Sequence, residues 1–243
     1  MKNIIELYHS KYKFDSFYQK ATFKILQNKN VNQNFGMGFS SSENSEFNYK
    51  AKYPDTRVDL PIWFGDPNNA LIKIMFLGRE PSDSEDKNNI EKNEDLNYVF
   101  GTPFGIEFWD EKNKYFNSFK EIVLNKKVLS YFTDVVKIFD VKANKKESKS
   151  AAKNNFWENA EKDTKNLEFL ISEVKMLSPD VIIGLGGDSY KFLKRHFGES
   201  IPVKKIIHPA ARQNKKTGEN AWNIAITDLR NITDEFLNIK SEK

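Results

Sequence analysis

Four short apolar runs punctuate the chain from residue 72 onward, with stretches of helical periodicity between them. They are IKIMFLG (72–78), a run within VLSYFTDVVKIFD (128–140), PDVIIGLGG (179–187) and IPVKKIIHPA (201–210). Each is the length of a strand and too short for a buried helix. Between the second and third, Phe156, Trp157, Ala160, Leu167, Leu170, Val174 and Leu177 recur at helical spacing over 154–178. DSYKFLKRHFG (188–198) predicts a short helix stopped by Gly198, and residues 219–240 a closing helix. Strands alternating with helices fold as parallel βαβ units, with right-handed crossovers and helices on both sheet faces. This predicts an α/β fold.

Upstream, Ile4, Ile5, Leu7, Tyr8, Phe14, Phe17, Tyr18, Ala21, Ile25 and Leu26 suit one or two amphipathic helices within residues 1–30. Residues 31–55 are polar and broken by glycine, and are expected as loop. The 243 residues fit one large domain, with 1–70 as an N-terminal helical and loop extension. A domain of this size hides ~70–75% of its unfolded surface. Twenty phenylalanines make up much of the apolar content, which argues against general disorder.

The absence of cysteine removes disulfides, thiolate zinc sites, iron–sulfur clusters and cysteine nucleophiles. Three histidines, His9, His196 and His208, make a histidine-rich metal site improbable, so no metal and no cofactor is expected. No apolar stretch approaches the ~20 residues of a membrane span. The N-terminus MKNIIELYHSKYKF lacks an apolar core and a small-residue cleavage site, so a cytoplasmic protein is expected, and a monomer.

In open parallel sheets, ligands bind beyond the carboxyl ends of the strands. The first run ends in Gly78 and continues Arg79, Glu80, Pro81: a carboxylate with a proline behind it, where phosphate-binding turns are glycine-rich. The second carries Asp134, the third is followed by Gly186, Gly187 and Asp188, and the fourth by His208 and Arg212. Each residue has a plain structural alternative. Glu80 would pair with Arg79, Asp134 would be the buried partner of a lysine or arginine, His208 would cap a strand end, and Asp188 is expected to cap the helix after Gly187. GLGG falls short of a nucleotide fingerprint.

Charge placement says more than the net +4. Residues 137–153 hold six lysines against two acids, and Lys204, Lys205, Arg212, Lys215 and Lys216 fall within 204–216 with no acid. Either stretch would serve a phosphate chain or be ordinary solvated surface. Residues 98–110 crowd Tyr98, Phe100, Phe104, Phe108 and Trp109 together, as core or as a face for a flat ring.

These motifs together resemble the uracil-DNA glycosylase superfamily. GREPSDSED (78–86) is similar to the G-E-A-P-G-x-x-E-D motif of its iron–sulfur branch, GTPFG (101–105) to the G-x-P-F turn, TDVVKIF (133–139) to the T-N-V-V-K strand, and HPAAR (208–212) to the H-P-S loop. The resemblance spans roughly 72–212. It implies a three-layer α/β/α fold with a short, mainly parallel four-stranded sheet. It implies a DNA glycosylase, hydrolysing the N-glycosidic bond of a damaged or modified base. By resemblance Glu80 and His208 are catalytic. Phe104 stacks on the base, Asp134 reads its edge, and Gly78, Arg79 and Pro81 line the base site. Lys145, Lys146, Arg212, Lys215 and Lys216 are the expected DNA contacts.

Three departures from the family pattern matter. The cluster cysteines are absent. Arg79 occupies the place of the branch's acid, with Glu80 one position on, where the G-Q-D-P branch has its aspartate. Asp134 stands where the family has an asparagine. An amide both donates and accepts, matching uracil, whereas an ionised carboxylate only accepts and suits an exocyclic amine such as that of a modified cytosine. A non-catalytic DNA-binding relative and a nucleoside or nucleotide N-glycosidase are the alternative readings.

Overall fold

A computed structural model describes residues 1–12, 35–37, 56–80, 98–100, 114–140, 156–208 and 220–242. The strands are β1 (Phe35–Met37), β2 (Thr56–Leu60), β3 (Ile62–Phe64), β4 (Ile72–Gly78), β5 (Tyr98–Phe100), β6 (Val128–Asp134), β7 (Ile138–Asp140), β8 (Val181–Leu185) and β9 (Val203–Ile206). The helices are α1 (Lys2–Tyr12), α2 (Lys114–Val123), α3 (Thr164–Leu177), α4 (Gly187–Phe197) and α5 (Ala221–Ser241), with a π-helical turn at Glu158–Lys162.

The main sheet runs β1-β3-β6-β4-β8-β9. Its four adjacent strands β6, β4, β8 and β9 are parallel, as the βαβ pattern requires. Two antiparallel strands, β3 and β1, extend the β6 edge, so the sheet has six strands rather than the expected four. The two extra strands escaped the sequence because each is three residues long, too short for a periodicity to register. β1 falls within the 31–55 stretch expected as loop. A second sheet, β5-β2-β7, is formed by β2 between a parallel and an antiparallel neighbour. The run at 128–140 therefore divides: β6 joins the main sheet, and β7 crosses to the other.

β4, β6 and β8 are mostly apolar and almost wholly buried because both of their faces are covered. On one face, Phe76 and Phe132 stack at 4.5 Å and Phe119 of α2 meets both edge-on at 5.3 Å, with Leu229 and Phe236 of α5 completing the layer. On the other, Ile4 and Tyr8 of α1, Leu170 and Val174 of α3 and Phe192 of α4 pack against Met75, Leu77 and Ile182. This is a three-layer α/β/α arrangement. No helix among the described residues is long and apolar enough to cross a membrane.

Glycine in the third run has two separate jobs. A Cβ on Gly184 would lie 2.6 Å from the Tyr190 backbone, so its absence lets α4 pack closely on β8. Gly186 has φ +92° and turns the chain from β8 into α4.

Candidate active site

Along the parallel strands the sheet order is β6-β4-β8-β9, whereas the chain order is β4, β6, β8, β9. The chain leaves β4 toward one side, then returns past it to β8 on the other. The order therefore reverses between β4 and β8, and ligands of open α/β sheets lie in that crevice. The groups flanking it are Arg79 and Glu80 beyond β4, and Gly186, Gly187 and Asp188 beyond β8. His208 follows one strand further out and Asp134 ends the strand on the opposite side. Adjacent strands lie ~4.8 Å apart, so the ends of β4 and β9 stand ~10 Å apart.

Glu80 is 8% exposed. Its Oε1 lies 3.3 Å from Arg79 Nη2, while Arg79 Nη1 lies 3.5 Å from Asp188 Oδ2. One guanidinium thus bridges two carboxylates, and it rests over the Phe156 ring with 4.9 Å from Cζ to the centroid. Burial raises the Glu80 pKa above the ordinary carboxylate value; Arg79 opposes that rise and Asp188 adds to it. The shared guanidinium leaves Glu80 a more basic carboxylate than a private ion pair would. Asp188 was expected as a helix cap. The capping position belongs to Gly186, without a side-chain bond, and Asp188 lies in the first turn of α4 facing Arg79.

Asp134 is fully buried at the end of β6, in register with Gly78 of β4. Its backbone N–H donates to Asp59 Oδ2 at 2.7 Å. Asp59 belongs to a buried polar cluster beneath the strand end. Lys137 Nζ lies 3.1 Å from Asp59 Oδ2 and 2.8 Å from Glu173 Oε2, and also donates to the Thr133 hydroxyl. Thr133 donates to Asp59, and the hydroxyls of Tyr8 and Tyr131 donate to Glu173 Oε1. Asn166 accepts from the Lys137 backbone N–H at 2.9 Å and donates to the Val135 carbonyl at 3.0 Å, fixing the turn after Asp134.

One ammonium therefore serves two carboxylates in a dry environment. Burial alone would lower the Lys137 pKa; Glu173 and Asp59 outweigh it and hold it above the usual lysine value. Burial raises Asp59, and Lys137, Thr133 and the Asp134 amide pull it back. Burial, then Glu173, raises Tyr8 and Tyr131 well above the phenol range, so both stay neutral donors.

His208 is half-buried two residues past β9. A Cβ built on Gly186 would come within 3.7 Å of the His208 Cβ, so the loops after β8 and β9 touch. Gly78, Arg79, Glu80, Asp134 and His208 thus gather along one end of the sheet. Pro81, Phe104, Lys145, Lys146, Arg212, Lys215 and Lys216 lie outside the described residues. Two cations counted in the basic stretches are otherwise engaged. Lys137 is buried because two carboxylates hold it, and Lys204 pairs with Glu235 of α5 at 3.0 Å.

The residues missed by sequence reasoning are Asp59 and Glu173; Asp188 was placed at the crevice end but expected as a helix cap. Glu173 had a usable signal: it stands on the Phe169, Leu170, Val174, Leu177 face of α3, where a carboxylate breaks the apolar stripe. Asp59 lies in a five-residue strand that carried no such contrast.

A comparison with protein families matches residues 64–230 to the family described as the Uracil DNA glycosylase superfamily. The match includes both sides of the β4/β8 crevice, Asp134 and His208. No curated protein matches the chain.

Proposed function

Because the chain belongs to the uracil-DNA glycosylase superfamily, we propose that it hydrolyses the N-glycosidic bond of a damaged or modified base in DNA, with Glu80 and His208 as catalytic groups. The observation that carries this reading is the buried carboxylate at the point where the strand order reverses, with a histidine two strands away.

A base within a duplex is out of reach, so the nucleotide is flipped into the crevice. The C1′–N bond then breaks, its electron pair leaving with the base, and the sugar takes on oxocarbenium character. Glu80, ionised, stabilises that cation and accepts a proton from the attacking water as its oxygen bonds C1′. His208 donates a hydrogen bond to the departing base, which carries the negative charge. Phe104 stacks on the base. Asp134 accepts from the base edge, which favours an exocyclic amine over the carbonyl of uracil, and a modified cytosine fits best. The basic residues Lys145, Lys146, Arg212, Lys215 and Lys216 contact the backbone. Gly78, Arg79 and Pro81 line the base site.

Oligonucleotides bearing a panel of altered bases, incubated with the protein and then treated with alkali, test this. Strand scission at one altered base supports the reading. Tight binding without scission at any base, or release of bases from free nucleosides only, contradicts it.

A further inference from the structure

A shallow groove of about 660 Å³ opens on the outer side of α4, lined by Trp157, Glu161, Tyr190, Lys191, Lys194 and Arg195. Three of these are cations and one is an acid. Glu161 takes up one cation through its ion pair with Arg195, which leaves Lys191 and Lys194, both exposed, uncompensated by Glu161. Two aromatic rings lie among the charges. Trp157 is half-buried, and the Arg195 guanidinium stands 5.6 Å above its ring.

The groove adjoins the β4/β8 crevice through a chain of contacts. Arg79, which holds Glu80, rests over Phe156, and Phe156 meets Trp157 edge-on at 5.3 Å. α4 itself starts at the crevice with Asp188 and carries Lys191, Lys194 and Arg195 away from it. At 1.5 Å per residue these cations lie about 4–11 Å along the axis from Asp188. Phosphates of one strand follow one another every ~3.4 Å along a duplex axis, so this path spans at most about three.

We propose that this groove binds the single-stranded segment flanking the nucleotide in the crevice. A base stacks in the aromatic part beside Trp157, and Lys191 and Lys194 take its phosphates. Spaced cations beside a partly accessible ring are the two elements of a sequence-tolerant single-strand site. Among the described residues its cations all come from α4. The proposal rests on the DNA reading above, yet its test needs no catalysis.

The experiment is a titration of labelled oligothymidylate with the full chain at several salt concentrations, read by anisotropy and by tryptophan fluorescence. Lys191→Gln/Lys194→Gln alters exposed positions only. Loss of two phosphate contacts should reduce the log–log salt slope by ~1.4. Trp157→Ala should weaken binding about tenfold or more. The lysine pair keeps the test decisive should Trp157→Ala fail to fold, as judged by its thermal melt. An unchanged slope in the lysine variant overturns the proposal. So does equal competition by poly-glutamate at matched charge, which would make the groove a site for acidic polypeptide. If the protein binds as described but excises no base, the glycosylase reading fails and the groove stands. If it excises bases with the slope unaltered, only the groove fails.

Discussion

Replacing Asp188 by asparagine should shift the acid limb of activity downward in pH. The two carboxylates on Arg79 are separated by one guanidinium and two contacts of 3.3 and 3.5 Å. They stand ~8 Å apart on that geometry, and at an effective dielectric of ~20–40 their repulsion is ~1–2 kcal/mol, which works against ionisation of Glu80. Asp188 is one of the two groups that raise the Glu80 pKa, burial being the larger. Removing its charge leaves Arg79 to Glu80 alone, which stabilises the ionised form, so the Glu80 pKa falls. The variant should remain active further into acid than the wild type. Above that limb it should turn over more slowly, because the carboxylate is the weaker base. The assay is kcat/KM against pH on the best oligonucleotide, with the Glu80 carboxyl followed directly by carbon-13 NMR. An acid limb that stays put, or moves upward, would refute the assignment of Asp188 as the residue that keeps Arg79 shared.

Lys137→Met should destabilise the protein by about 3–5 kcal/mol at neutral pH, because it strands Asp59 and Glu173 without their cation. Protonating Asp59, whose pKa burial raises, relieves the defect, so thermal melts of variant and wild type should converge as pH falls, and parallel melts at all pH values would refute the assignment. Asp134→Asn restores a group that both donates and accepts, and should move excision toward uracil on matched single-stranded oligonucleotides; unaltered base preference would remove Asp134 as the reader. Glu80→Gln should raise the melting temperature slightly at neutral pH. A carboxylate whose folded pKa is raised contributes stability below its unfolded pKa and loses it as pH rises through the folded value, so the gain should disappear in acid; a gain independent of pH would contradict this.

The parallel core was legible because β4, β6 and β8 are covered on both faces, and so read as mainly apolar runs against a polar background. β1 and β3 were not legible, since three residues carry no period and their pairing depends on a neighbour far along the chain. At the site, Glu80 and His208 stood out as polar residues directly after strands. The role of Asp188 depends on a guanidinium more than 100 residues earlier, which no local pattern encodes. The Lys137 cluster was hidden for the same reason. Lysine in TDVVKIF looks like part of a basic run until Asp59 from one strand and Glu173 from a helix close around it.

Glu80 is proposed above to drive hydrolysis of a base–sugar bond in DNA. The most direct measurement is mass spectrometry of the bases released from an oligonucleotide panel by the wild type, Glu80→Gln and His208→Ala, each first shown to be folded and to bind the same DNA. Wild-type protein should release one modified base and leave an abasic site in equal amount, with each variant slower by ~10²–10³. Release of that base at an undiminished rate by Glu80→Gln would contradict the claim.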